Sequence, residues 1–389
     1  MRFLKIRILI RSLKMRTPPC TKPKILEKTK SAVLKITKIC KKMSTKEKIL
    51  SILNSDSLKN DFISGEELAS CCQVSRAAVH KAISALREQG FLIEAVTNKG
   101  YKLESVPDRI DSDFIEKEIL KCGEKCEVLA FDEIDSTNLE AKRQTADKEL
   151  NRVLFVAGRQ TAGRGRMGRT FVSPANSGIY FSLVYKPVAG IKNPAFLTAA
   201  AAVAVSRAIK SLYGEDCKIK WVNDVFLNGK KICGILTEGV TNFETGTIDV
   251  AIVGIGINVR NSGFDEELSK VAGSVEEIIA GEGKTVPKVS RNQIVSEVIS
   301  NLLKIYDFYF ADDKQEIKRT MDEYRKRSLL TGLEVCVNPI AGLEGKIYKA
   351  KVLDVTDEAE LLVLTEDGIQ KKLFSGEVSL KSSNFANQN

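Results

Sequence analysis

Residues 158–169 read Gly158-Arg159-Gln160-Thr161-Ala162-Gly163-Arg164-Gly165-Arg166-Met167-Gly168-Arg169. Gly163, Gly165 and Gly168 are spaced through Arg159, Arg164, Arg166 and Arg169. Glycine lets a backbone bend closely around a ligand, and guanidinium forks make bidentate contacts to carboxylates and phosphates. The spacing therefore predicts an anion-binding loop; the plainer alternative is a basic surface loop. A Walker loop is excluded, because no Gly-Lys-Ser or Gly-Lys-Thr ending follows, and the segment does not sit in a dinucleotide-binding βαβ unit.

Outward from the loop the pattern is mixed α/β. Val153 to Ala157 and Gly178 to Tyr185 read as strands. Asn193 and Pro194 supply a cap and a first-turn proline for an Ala-rich helix through about Leu212, apolar nearly all round and hence buried. Ile219 to Val222, Ile232 to Glu238 and Val250 to Val259 read as further strands, and Gly254 and Gly256 imply close approach by a ligand or another backbone. Residues 290–327 read as helical. From Gly332 onward, Leu333 to Val337, Ile347 to Val355, Leu361 to Thr365 and Gly368 to Phe374 alternate with turn residues, as in a small β-barrel.

Ahead of the α/β region lies a different unit. Ile49, Leu50, Ile52 and Leu53 share a helical face, and Ser64 with Glu67 forms a capping box for a second helix. Ser75 caps a third helix that turns Val79, Ile83 and Leu86 inward and Ser75, Arg76, His80, Lys81 and Arg87 outward. After Gly90, which stops it, Phe91 to Glu94 and Gly100 to Leu103 flank a polar turn at Thr97-Asn98-Lys99. Helices, tight turn and hairpin make a winged helix-turn-helix. Its DNA-binding reading uses Ser75, Arg76, His80 and Lys81 in the groove and Lys99 on the wing. A protein-docking module of the same fold is the alternative. Residues 43–105 hold eight basic and eight acidic groups, which predicts modest, dimer-dependent DNA affinity.

The 389 residues suffice for about two to four domains. With 43% hydrophobic and 28% charged residues, and no uncharged apolar stretch near the roughly 20 residues of a bilayer span, a membrane protein is not expected. Nine scattered cysteines fit a reducing cytoplasm, and although Cys122 and Cys126 have ligand-like spacing, no second pair completes a zinc site. Residues 1–42 hold 14 of the 60 basic residues and one acid, Glu27, a net of +13; residues 43–389 hold 46 basic and 49 acidic groups, a net of −3. DNA binding must therefore come from a local surface. The basic segment is too charged for a signal peptide. It reads as a disordered or untranslated extension before Met43, or as a basic arm for DNA or anionic lipid. His80 is the only histidine, so Ser-His and Cys-His nucleophilic pairs are excluded.

The Arg-rich segment resembles the Gly-Arg-Gly-Arg-x-Gly-Arg loop of biotin protein ligases, and four more matches follow in family order. Asp135-Ser136-Thr137-Asn138 resembles the motif at the mouth of the biotin site, and Lys220-Trp221-Val222-Asn223-Asp224 the Lys-Trp-Pro-Asn-Asp motif. Lys231 to Glu238 resembles the strand bearing the family's catalytic lysine, and Gly254-Ile255-Gly256-Ile257-Asn258-Val259 its Gly-x-Gly-x-Asn segment. Val222 departs from the usual proline, and Met167 stands at a variable position with no role assigned. The resemblance covers about residues 43–382 and is to the bifunctional form that combines ligase with biotin-operon repressor.

It implies an α+β multidomain chain: a winged helix-turn-helix over 43–106, an α/β catalytic domain like that of class II aminoacyl-tRNA synthetases over 107–327, and an SH3-like barrel over 328–382. It also implies ATP-dependent formation of biotinyl-5'-AMP, with Mg2+, and transfer of biotin to a lysine of a biotin carboxyl carrier domain. The adenylate would act as corepressor, promoting a cytoplasmic homodimer on operator DNA. By resemblance, Ser136, Thr137, Asn138, Gln160, Arg164, Gly165, Arg166 and Lys231 contact biotin, and Arg166, Arg169, Asn223 and Asn258 face the nucleotide. Lys231, Arg164, Arg166 and Asp224 are the catalytic set, with Asp224 at the magnesium side of the phosphates and a candidate base toward the acceptor lysine.

The residues suit that chemistry, because joining two anions needs fixed positive charge and exclusion of water. Plainer readings stand beside it: Lys231 as a surface lysine next to Lys230, Ser136 and Thr137 as an ordinary helix cap, and Trp221 as a packing wall. Three other functions compete: a ligase without regulatory DNA binding, a biotin-sensing repressor without ligase activity, and a lipoate or octanoate ligase.

Overall fold

The computed structural model describes residues 44–53, 62–88, 91–97, 99–105, 109–188, 190–241, 246–260, 263–338, 347–374 and 377–380. The basic segment 1–42 and the expected helix stop at Gly90 lie outside them. The chain divides into two compact units, residues 1–107 and 108–389.

In the first unit, helices α1 (Thr45–Leu53), α2 (Gly65–Cys72) and α3 (Arg76–Glu88) precede an antiparallel hairpin, β1 (Leu92–Val96) and β2 (Gly100–Ser105). The capping box forms: Ser64 Oγ accepts from Glu67 N at 3.1 Å, and Glu67 Oε2 accepts from Ser64 N at 3.0 Å. Ser75 Oγ caps α3 by accepting from Ala78 N at 3.2 Å. Gln73, left-handed at φ 57°, makes the tight turn between α2 and α3. Ile49, Leu68, Val79, Ile83, Leu86 and Ile93 are buried together. Ile63 exchanges backbone hydrogen bonds with Tyr101 at 2.9 and 2.8 Å and so adds a bridge beside the wing. Arg87 is exposed on the outward face as expected, and it also donates through Nε and Nη2 to Ile93 O at 3.0 and 2.6 Å, which ties α3 to β1.

The second unit is built on a seven-stranded sheet. Its strands are β3 (Glu127–Phe131), β4 (Val153–Ala157), β5 (Gly178–Tyr185), β6 (Lys218–Lys220), β7 (Asp224–Leu227), β8 (Lys230–Thr241) and β9 (Ile248–Asn258), in the order β3-β4-β5-β9-β8-β7-β6. The β3–β4 pair is parallel and the rest antiparallel. The expected strand from Ile219 to Val222 ends at Lys220, because Lys220 pairs with Asp224 and Trp221, Val222 and Asn223 must turn the chain between them. The Trp221–Val222 peptide is cis.

Strand alternation divides the sheet's two faces. Leu154, Val156, Leu183, Ala251, Val253 and Ile255 enter the main core. They are covered by α4 (Ser112–Lys121) and by α6 (Pro194–Tyr213), then α9 (Arg291–Phe310) and α10 (Lys314–Arg327). Asn193 Oδ1 caps α6 by accepting from Ala195 N and Phe196 N at 3.1 and 3.2 Å. The helix is apolar and long enough for a bilayer span, yet it carries Arg207 and Lys210 and is largely buried in the core. On the other face, Phe155, Val184, Val250 and Ile252 meet Ala141 of α5 (Thr137–Asp147). That helix begins beside Gly254, so the rest of this face is left for something other than a helix.

Two short helices, α7 (Glu266–Val271) and α8 (Val275–Gly281), follow β9. The last described residues form a five-stranded antiparallel sheet of β10 (Glu334–Asn338), β11 (Tyr348–Val355), β12 (Leu361–Thr365), β13 (Gln370–Leu373) and β14 (Glu377–Leu380), ordered β13-β12-β11-β10-β14. It is fastened to the rest of the second unit by specific bonds. Trp221 Nε1 donates to Ala359 O at 2.9 Å, Asn193 Nδ2 to Glu358 O at 2.7 Å and Arg325 Nη1 to Val355 O at 2.9 Å.

Replacing Ser64 with Ala removes one half of the capping box and leaves a helix-terminal N–H unsatisfied. The expected loss is about 1 kcal/mol from the first unit, read as a lower midpoint for its transition in urea, with no change in the second unit's.

Candidate active site

A cleft of about 250 Å³ opens on the uncovered face of the seven-stranded sheet. The arginine loop forms one wall. It is a hairpin: Phe171 N donates to Gly163 O at 2.9 Å and Gly165 N to Arg169 O at 2.7 Å, and a single 3₁₀ turn, Arg166–Gly168, closes the tip. Gly163 is required there, since a Cβ would lie 2.4 Å from the Phe171 carbonyl oxygen. Met167 at the tip has φ 58°, a left-handed conformation that costs about 1 kcal/mol or more in a side-chain-bearing residue. Arg164, Gly165, Arg166, Met167 and Arg169 all line the cleft.

The floor is made by glycines. A Cβ on Gly256 would fall 2.5 Å from the Phe171 ring, and one on Gly254 would fall 2.1 Å from Asn138 Oδ1. The close approach expected at these positions is therefore made by two side chains, which settle on the bare backbone of β9.

The far wall comes from β7 and β8, and a bulge decides what it presents. The pairs Asp224↔Gly234, Val225↔Cys233 and Phe226↔Lys231 leave Ile232 as an extra residue. Lys231 and Gly234 are three apart and in a regular strand would face opposite ways. The extra residue puts both on the face of Asp224 and Phe226. Lys231 Nζ then meets Asp224 Oδ1 at 2.7 Å, which removes the surface-lysine reading. Asn223 Nδ2 donates to Asp224 Oδ1 at 3.0 Å, and Arg166 Nη1 donates to Asn223 Oδ1 at 3.1 Å. Behind Lys231, burial pushes the Cys233 thiol well above its ordinary value, with Lys231 opposing and Asp224 adding, so Cys233 is a neutral packing group.

At the other end of the cleft the lining is polar and uncharged. Ser136 stands at the N-cap of α5, but its hydroxyl makes no cap hydrogen bond; it lines the cleft with Asn138 and Gln160. Thr137 N and Oγ1 donate to Gln160 Oε1 at 2.8 and 3.1 Å, and Gln160 Nε2 donates to Ser173 Oγ at 3.0 Å. Ser182 Oγ lies 2.7 Å from Thr137 Oγ1 and 2.5 Å from Asn138 Oδ1. Outside, Arg143 grips Asp135 through Nη1 and Nη2 at 2.9 and 2.8 Å and holds its carboxyl at about 2. Asp135 in turn accepts from Ser136 N at 2.7 Å, which fixes the start of the segment.

The cleft thus gathers Ser136, Asn138, Gln160, Arg164, Gly165, Arg166, Arg169, Asn223, Asp224 and Lys231. Two candidates lie elsewhere. Thr137 is buried behind the lining, acting on Gln160 and Ser182. Asn258, expected to face the nucleotide, is buried beyond the last lining glycine, Gly256, at the end of β9 where it pairs with Gly178. Met167, to which no role was assigned, is in the lining, and Trp221 lines it as the expected wall. Reading the sequence places Lys220 only as the first residue of its motif, with no role, and assigns no role to Phe171 or Ser182. Ser182 carries a signal, the one serine in the middle of a buried strand; Phe171 carries none. In the first unit, Ser75, Arg76, His80, Lys81 and Lys99 are all exposed, and Lys99 Nζ lies 5.9 Å from the Phe62 ring centroid.

This geometry can be set beside known proteins. The model of the biotin/lipoate A/B protein ligase family matches residues 128–258, and that of an HTH domain matches residues 45–102. The bifunctional ligase/repressor BirA of Bacillus subtilis (strain 168) is 35% identical over 328 residues, 82% of this chain and 94% of that protein. BirA of Escherichia coli (strain K12) is 26% identical over 329 residues, 83% and 94% of the two chains. The structure of biotin protein ligase from Aquifex aeolicus in complex with biotin and ATP superposes with a TM-score of 0.52 at 30% identity, over 65% of this chain and 98% of that one. The chain belongs to the biotin/lipoate protein ligase family, in the form that joins a helix-turn-helix domain to the ligase.

Replacing Gly254 with Ala forces a methyl against Asn138 Oδ1. The expected cost is about 1–3 kcal/mol, seen as a drop of several degrees in the melting temperature of the second unit.

Proposed function

We propose that this protein activates biotin with ATP, transfers it to a lysine of a biotin carboxyl carrier domain, and represses transcription in response to biotin. The observation that carries the reading is the make-up of the cleft: the uncharged hydrogen-bonding groups of Ser136, Asn138 and Gln160 share one lining with Arg164, Arg166, Arg169, Lys220 and Lys231, and Asp224 is the one carboxylate among the described lining residues. A carboxylate-tailed ring would lie with its ring at Ser136, Asn138 and Gln160 and its tail toward Lys231. ATP would face Arg166, Arg169 and Asn223. The membership in a family of biotin and lipoate ligases and the ligase/repressor relatives support both halves of the function.

In the first step a biotin carboxylate oxygen attacks the α-phosphorus of ATP, pyrophosphate leaves, and biotinyl-5'-AMP forms. Two anions must approach, and fixed cations in a partly dry cleft offset their repulsion at no cost in reorganisation. Lys231 moves from Asp224 to the biotin carboxylate and the α-phosphate. Asp224 fits the magnesium side of the phosphates, because Mg2+ commonly takes one or two carboxylates and fills its remaining positions with phosphate and water; the ion when bound neutralises phosphate charge.

In the second step the amine of the acceptor lysine attacks the anhydride carbonyl, the C–O bond to phosphate breaks, AMP leaves, and one proton is lost from nitrogen. A free lysine of pKa about 10.4 is neutral only about once in 2,500 at pH 7, a cost near 5 kcal/mol. Asp224, released by Lys231, is placed by this reading to accept that proton.

The same reading assigns the exposed row Ser75, Arg76, His80 and Lys81, with Lys99 on the wing, to operator DNA. It takes the larger sheet as a class II aminoacyl-tRNA synthetase-like fold, the smaller as an SH3-like barrel, and the domains as 43–106, 107–327 and 328–382. The working form is a cytoplasmic homodimer promoted by biotinyl-5'-AMP.

Purified protein is expected to label a carrier domain with biotin only when ATP is present, and Lys231→Ala to lose the label; intact protein that labels nothing would refute the ligase. Asp224→Asn is expected to slow transfer from preformed biotinyl-5'-AMP at least tenfold. Normal transfer from the adenylate, with adenylation lost, would leave Asp224 only its magnesium role.

A further inference from the structure

Glu238 stands on β8 seven residues beyond Lys231, outside the cleft lining, and its contacts run to a residue that is in the lining. Asn138 Nδ2 donates to Glu238 Oε2 at 2.8 Å and to Leu236 O at 3.3 Å. A primary amide has two N–H donors and one oxygen acceptor, so both donors of Asn138 are spent. Its oxygen lies against Ser182 Oγ at 2.5 Å, and an amide oxygen keeps a second lone pair for a further donor; Asn138 itself is in the cleft lining.

The orientation of this amide is not free to reverse. A carboxylate only accepts, so turning the amide over would set Asn138 Oδ1 against Glu238 Oε2, two acceptors within hydrogen-bond range and 4% exposed at the asparagine. Lys142 Nζ, one turn along α5, holds the other oxygen, Oε1, at 2.7 Å. Burial alone would raise the Glu238 carboxyl, but hydrogen bonds from Lys142 and Asn138 outweigh it, with Arg164 adding, and the net shift is downward. The group therefore stays ionised, and acceptor-only, at neutral pH.

We infer that Glu238 is a specificity-determining positioning residue: through the amide of Asn138 it makes the polar end of the cleft present an acceptor, and so selects a ligand ring carrying N–H there. Gln160 supplies the complement. Its oxygen is held by Thr137 and one amide proton by Ser173, which leaves one N–H donor. An acceptor on Asn138 and a donor on Gln160, both in the lining of one cleft, match a cyclic urea and do not match a ring of carbon and sulfur alone. This rests on the reading of the cleft as a biotin site, and identifies the residue that sets its choice of acyl ring.

The test is calorimetric binding to full-length wild type and Glu238→Gln, using biotin and biotins methylated at either ureido nitrogen, with biotin-dependent adenylation kinetics in parallel. With its oxygen kept on Lys142, a glutamine turns its N–H toward Asn138 and removes the carboxylate's hold on the amide while keeping the shape, leaving only Leu236 O to favour the original orientation. Biotin affinity is expected to fall about tenfold, with KM rising by a similar factor and kcat held. The affinity penalty for methylating one of the two nitrogens should shrink by about the same factor. Equal biotin affinity in the two proteins overturns the inference, and so does an undiminished methylation penalty at both nitrogens, which marks Glu238 as structural only. A wild-type protein that binds no biotin overturns the ligase reading itself, a result distinct from either.

Discussion

Like charges are crowded into one small space: Arg164, Arg166, Arg169, Lys220 and Lys231 border a cleft in which Asp224 is the one carboxylate among the described lining residues. Without a ligand, Asp224 relieves part of that repulsion by taking Lys231 at 2.7 Å, while Asn223 links the same carboxylate to Arg166. An anionic ligand relieves more of it. Such an excess of positive charge favours phosphate and carboxylate together, as the proposed reaction requires.

Holding those cations in place is a problem of backbone geometry. Side chains at Gly163, Gly254 or Gly256 would collide with Phe171 or Asn138, so the loop and the start of α5 lie against the sheet only because these positions lack a Cβ. The bulge at Ile232 is the second device. One added residue in β8 changes the parity of the strand and turns Lys231 toward Asp224. Trp221 is the third, because its ring lines the cleft and its Nε1 holds Ala359 of the small sheet. The C-terminal strands are in this way mechanically continuous with the active site.

Much of this was legible in the residue order, for identifiable reasons. Periodicity and capping locate elements because they act within a few residues: the box at Ser64, the cap at Asn193, and β4 and β5 to the residue. The arginine loop was legible because its composition is chemically extreme. Helical spacing places Arg87 on the exposed face, but it cannot reveal that the guanidinium also reaches a wing carbonyl. The strand expected to run to Val222 was overextended, since its β-branched end is indistinguishable locally from a turn forced by the pairing of Lys220 with Asp224.

What the order of residues determined by itself is the inventory: a winged unit, an α/β unit with a loop of glycines and arginines, a run of late strands, and the types of group available for chemistry. Those are short-range properties, set by side-chain periodicity, turn chemistry and charge. Tertiary structure alone decided which groups meet. Lys231 reaches Asp224 through a register shift, Asn138 takes its orientation from Glu238 a hundred positions away, and Asn258 is withdrawn from a cleft that its neighbouring glycines line. Such pairings depend on strand register and on the few places where backbone without side chains lets distant segments touch, and neither is encoded within a local window.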